Sequence, residues 1–144
     1  MESAARIITL PALLLPLIPA AVVILALSWI REPMRMRISA LTAAGFTGLY
    51  LNGGFGIWEF VYMAIAAVPA YRGQRSYPWI GVAWLMHAAW DLLHHFHGNT
   101  LWHWDEMSSL GCAVMDPVVA LWFFAGAPSV FERFGARRTA AAQS

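Results

Sequence analysis

His87, Asp91, His94 and His95 fall in one largely apolar stretch with the pattern H-x-x-x-D-x-x-H-H, while Glu59 and Asp116 lie in two others. These side chains bind metals or move protons. Neutral imidazole combined with carboxylate suits zinc, iron or manganese, and either group can serve as a general acid or base. On a helix turning about 100° per residue, His87, Asp91 and His94 lie within an arc of roughly 60°, and His95 lies about 40° beyond Asp91. Ser109, Cys112 and Asp116 also share a helical face, three and four residues apart. A charged group at the centre of a bilayer costs about 2.5–3.5 kcal/mol on insertion scales, so such residues mark candidate sites.

The elements that must carry these residues follow from composition. Of 144 residues, 60% are hydrophobic and 12% charged, whereas an ordinary soluble domain is about 25% charged. The mean hydropathy is +0.57. A crossing of a bilayer core about 30 Å thick needs roughly 20 apolar residues. The chain therefore reads as all-α, an integral membrane bundle of four transmembrane helices in a single domain. The expected spans are 7–30, 38–69, 78–96 and 107–126. The first is longer than the roughly 7–15-residue core of a signal peptide. The second is long for one crossing, and Gly53, Gly54 and Gly56 interrupt it, so it is either strongly tilted or broken near Asn52–Gly56. Trp102 and Trp104 suit interface anchors, and Asp105 and Glu106 suit the start of span four.

With four spans, Arg6, Arg72, Arg75, Arg133, Arg137 and Arg138 share one side and Arg31, Arg35 and Arg37 the other. The positive-inside rule then places both termini in the cytoplasm and the chain in the inner (plasma) membrane. Helix lengths put Glu59, His87 and Asp116 each about 15 Å from the cytoplasmic end of its span, at one depth. The net charge of +1 gives no reason to invoke nucleic acid. All basic residues are arginine, which excludes a lysine Schiff base. The single cysteine, Cys112, excludes an intrachain disulfide and an all-cysteine metal site.

Three functions compete. The first is a membrane metalloenzyme acting on a lipid-soluble substrate, with a divalent zinc, iron or manganese ion held among Glu59, His87, Asp91, His94 or His95, and Asp116, and one of the carboxylates Glu59, Asp91 or Asp116 acting as base. The second is metal-free acid–base isomerisation or cyclisation of an isoprenoid. There Glu59, Asp91 or Asp116 is the acid, and Trp58, Trp84, Trp90 and Trp122 stabilise a cation. The third is ion, proton or metal transport, which with so few spans calls for a homo-oligomer. The bland alternative for Asp91 with His87 or His94 is an intrahelical pair that only fixes packing; His97 and His103 read as loop residues.

The chain resembles an uncharacterised bacterial family of small four-span membrane proteins over roughly residues 31–130. The likeness is carried by Gly53-Gly54-Phe55-Gly56 with Trp58-Glu59, Ala70-Tyr71-Arg72-Gly73, Trp84-Leu85-Met86-His87 with Trp90-Asp91 and His94-His95, and Ser108-Ser109-Leu110-Gly111-Cys112-Ala113 with Asp116. It supplies no reaction. The histidine spacing is similar to the His boxes of membrane hydroxylases and desaturases, but with one cluster where they have several. The segment Trp58-Glu59-Phe60-Val61-Tyr62 is similar to part of the membrane-bound meroterpenoid cyclases, in which an acidic residue is the acid.

Overall fold

The computed structural model describes residues 8–51, 54–97, 100–102 and 104–132. Arg6, Asn52, Gly53, His103, Arg133, Arg137 and Arg138, which enter the sequence reading, lie outside the described residues. The described chain is helical: α1 Leu10–Leu14, α2 Leu17–Trp29, α3 Met34–Phe46, α4 Ile57–Arg72, α5 Tyr77–Phe96 and α6 Ser108–Phe124. Thr9 caps α1 by accepting from Ala12 N, and Pro11 sits in the first turn, where its missing N–H costs nothing. Pro16 and Pro19 interrupt backbone bonding where α1 meets α2. Leu10–Trp29 is the one stretch among the described residues long and apolar enough to cross a membrane.

Side-chain contacts fix which ends meet. Arg35 opens α3 buried, donating to Ile30 O at 2.8 Å and to Ala127 O at 2.9 Å. Tyr77, at the start of α5, donates to Glu32. Ser129 Oγ donates to Ser28 O at 3.0 Å. The α2–α3 turn, the α4–α5 turn and the segment after α6 therefore form one end of the bundle. At the far end the ring of Phe55 lies 5.0 Å from that of His97. There the start of α6 faces α1, and a Cβ on Gly111 would sit 3.8 Å from Pro16. The joined α1 and α2, then α3, α4, α5 and α6, thus run alternately between the two ends in five passes.

Of the two alternatives for 38–69, a strongly tilted span or a break near Asn52–Gly56, the helix bounds fit a break. Helix α3 ends at Phe46 and α4 begins at Ile57, and the two form an antiparallel hairpin. Arg37, Ala40 and Ala44 of one helix and Ala67, Ala70 and Tyr71 of the other line a shared cleft of about 400 Å³. Gly56, at φ +56°, gives the chain its re-entry into α4. The extra pass also regroups the arginines. Arg31, Arg35, Arg37, Arg72 and Arg75, all of those among the described residues, lie at the same end. Four spans set Arg31, Arg35 and Arg37 against Arg72 and Arg75, whereas the hairpin brings these five together.

The bundle buries an apolar core around Ile80, Trp84, Val119 and Phe123 together with a set of polar side chains, and its exterior carries many large apolar ones. Its interior holds Glu59, His87, Asp91, His94, His95 and Asp116, while Trp29, Leu41, Ile57, Phe96 and Leu121 are exposed. Small residues let the helices approach closely. A Cβ at Gly81 of α5 would lie 3.0 Å from the Phe124 ring and 3.1 Å from Ala120 O of α6.

Candidate metal centre and the polar core around it

Helix α5 supplies most of the polar core. Pro78 begins it, compatible with a first turn, and its 20 residues run unbroken to Phe96. Its buried stripe includes Trp84, His87, Asp91 and His94. Helix α6 brings Asp116 and Ser109 against this stripe, and α4 brings Glu59 from its first turn.

Five of the six residues singled out by sequence fall into two clusters. In the first cluster His87 Nδ1 lies 2.8 Å from Asp116 Oδ2 and 3.0 Å from Asp91 Oδ2. The Asp116 contact is a hydrogen bond. The Asp91 contact is close enough for an ion pair, yet Oδ2 of Asp91 is buried without a hydrogen-bond partner. One ligand atom from each residue lies within 4.8 Å of the others, and none of the three residues exceeds 4% exposure. The intrahelical His87–Asp91 pair is thus part of a three-body cluster spanning two helices. Two ligands at right angles on a metal with bonds of about 2.1 Å stand about 3.0 Å apart. The two contacts of His87 Nδ1 match that spacing.

In the second cluster His94 Nε2 lies 3.2 Å from Glu59 Oε1. Glu59 accepts from Trp90 Nε1 at 2.9 Å and from Phe55 N at 3.3 Å. Phe55 packs edge-on against His94 at 4.6 Å, and Tyr62 stacks on Trp90 at 4.5 Å. Helix α4 holds Glu59 near the end away from the arginines, so it does not join His87 and Asp116. His95 is also buried, its ring centroid 5.6 Å from that of Phe96; His94 rather than His95 meets Glu59.

Tyr50 links the clusters. Its ring stacks on His94 with centroids 3.8 Å apart. Its hydroxyl donates to Asp91 Oδ1 at 2.6 Å and lies 2.9 Å from Ser109 Oγ, which accepts from Leu101 N. Sequence reasoning missed Tyr50 because an isolated tyrosine inside an apolar run carries no pattern. Trp90 did have a signal: the paired Trp58-Glu59 and Trp90-Asp91 place an indole donor beside an acid in two helices.

A family model described as a family of unknown function (DUF6010) matches residues 11–129. The chain belongs to the DUF6010 family. The match takes in both polar clusters and every segment that carries the resemblance noted in the sequence. No curated protein and no solved structure matches.

Proposed function

We propose that this DUF6010 member is a multi-pass protein of the bacterial inner membrane, and that it holds a divalent metal at His87, Asp91 and Asp116 to act on a lipid-soluble substrate. The membrane assignment is supported by the many large apolar side chains on the exterior, Trp29, Leu41, Ile57, Phe96 and Leu121 among them, and by the apolar stretch Leu10–Trp29. Five alternating passes would put the end bearing Arg31, Arg35, Arg37, Arg72 and Arg75 in the cytoplasm. Glu59 and His94 then lie toward the opposite face.

The observation that carries the metal reading is the convergence of His87 Nδ1, Asp116 Oδ2 and the hydrogen-bond-orphaned Asp91 Oδ2 on one point. Two buried carboxylates that share one imidazole are costly to hold out of water, and a cation would offset their charge. One nitrogen and two oxygens form a hard donor set suited to manganese, iron or zinc. Three protein ligands leave positions open, as catalytic sites do. The bound ion would act as a Lewis acid or redox centre. Tyr50 fixes Asp91 from behind, the outer-shell role that orients a metal ligand, and Glu59 with His94 supplies a base beyond it.

The decisive experiment is elemental mass spectrometry on detergent-purified protein beside His87→Ala. About one equivalent of metal, lost in the variant, is expected. No metal in either, after reloading without chelator, would end the metal reading. That result would favour acid–base chemistry at Glu59 and His94, for which the enclosing rings of Tyr50, Phe55 and Trp90 are the supporting observation.

A further inference from the structure

A cavity of about 580 Å³ lies between the N-terminal helix pair and the start of α6. That volume falls within the roughly 300–1,000 Å³ range of small-molecule sites. Pro11, Leu15, Pro16, Pro19 and Met115 form its apolar wall. Thr9, Asp105 and Ser108 give it a polar end, and Cys112 completes the α6 side. Among the described residues no arginine or histidine lines it. Asp105 is the one charged group among the described lining residues; one oxygen of that carboxylate accepts from Met107 N.

The cavity shares a helix with the metal cluster. On α6, Ser108, Cys112 and Met115 face the cavity, while Ser109 and Asp116 face the polar core. Cys112 and Asp116 are one turn apart, so a molecule seated here lies one helix wall from the proposed centre.

We infer that this cavity binds a neutral single-chain lipid alcohol, its tail along the α1–α2 prolines and its hydroxyl toward Asp105. The inference rests on the proposed membrane setting and names the class of substrate for the site. The charge of the lining selects the head group. A fatty carboxylate or phosphate would meet a carboxylate with no cation among the described lining residues to offset it, whereas an alcohol can donate to Asp105. A two-chain phospholipid would exceed the space.

The test is photo-crosslinking of the full-length protein in lipid nanodiscs with a dodecanol analogue carrying a diazirine in its tail, followed by peptide mapping. Crosslinks are expected within residues 11–19 and 107–115, reduced at least fivefold by excess dodecanol and less than twofold by dodecanoate. Gly111→Leu, which projects a side chain toward Pro16, should remove them; Met115→Trp is the second cavity-filling variant if the first does not fold. Crosslinks spread over the whole apolar exterior, equal competition by the carboxylate, or labelling unchanged in the folded filled variants would overturn the inference. His87→Ala should keep the crosslinks. Their persistence there, with or without metal in the wild type, separates the fate of this cavity from that of the metal centre.

Discussion

The Tyr50 hydroxyl lies 2.6 Å from Asp91 Oδ1, joining residues 41 positions apart in the chain. The same tyrosine stacks on His94, so one side chain touches both polar clusters by different means. Its hydroxyl serves the first and its ring the second.

Tyr50→Phe separates these roles. The ring remains on His94, while Asp91 loses its donor. Metal affinity should fall about 10–100-fold, the usual effect of losing an outer-shell partner. Titration with manganese followed by electron paramagnetic resonance would measure it. Unchanged affinity would leave Tyr50 with a packing role alone.

Removing a ligand should cost more than removing its support. Asp91→Asn and Asp116→Asn each keep size and polarity but lose the anionic donor. Both are expected to bind manganese more weakly than Tyr50→Phe in the same titration. Glu59→Gln, in the other cluster, should bind as the wild type does. A loss for Glu59→Gln equal to that for Asp116→Asn would mean that the two clusters act as one centre.

The five-pass arrangement predicts a labelling pattern. In a Cys112→Ala background, cysteines placed at Arg31 and Gln74 should react with an impermeant maleimide from the same face of sealed vesicles. A cysteine at Glu106 should react from the opposite face. Four spans would put positions 31 and 74 on opposite faces, so the experiment decides between the two topologies.

Arg35→Ala should destabilise the arginine-bearing end of the bundle. It strips donors from the Ile30 and Ala127 carbonyls, and hydrogen bonds from a charged group are worth about 1.5–3 kcal/mol each. Arg35→Lys should recover only part of this, because an ammonium lacks the planar fork that reaches two carbonyls at once. Thermal unfolding in detergent, compared for the two variants, provides the measure.

Gly81→Leu should loosen the contact between α5 and α6. Even a Cβ there would lie 3.0 Å from the Phe124 ring and 3.1 Å from Ala120 O, inside ordinary van der Waals contact, and overpacking costs about 1–3 kcal/mol. The same unfolding assay should show a lower midpoint, with Gly81→Ala between the variant and the wild type.

The sequence displays the polar residues better than their partners. Helical spacing put His87, Asp91 and His94 on one stripe, and all three are buried on α5. Spacing within a helix cannot say which neighbour faces which part of the stripe. Asp116 comes to His87 and Glu59 to His94, because α4 and α6 run beside α5 at different heights. The common depth inferred for Glu59, His87 and Asp116 is counted along each helix separately and cannot show that Glu59 meets His94 rather than His87. Hydropathy sees residues 38–69 as continuous because the turn there is built from Thr47, Leu49, Tyr50, Leu51 and glycines rather than from charges. The turn that hid the hairpin also delivers Tyr50.

That hairpin bears on how the chain enters a membrane. In the proposed setting α3 begins with Arg35 and Arg37 and is rich in Ser, Thr, Ala and Gly, while α4 is lined with Ile57, Phe60, Val61, Ile65 and Val68. By length and composition neither helix qualifies to cross a membrane alone, so in that setting the insertion machinery would release either one unless its companion were beside it. The pair must therefore partition as a unit, and until α5 arrives Tyr50 has neither His94 nor Asp91 to meet. Assembly of the polar core is thereby deferred to the second half of synthesis.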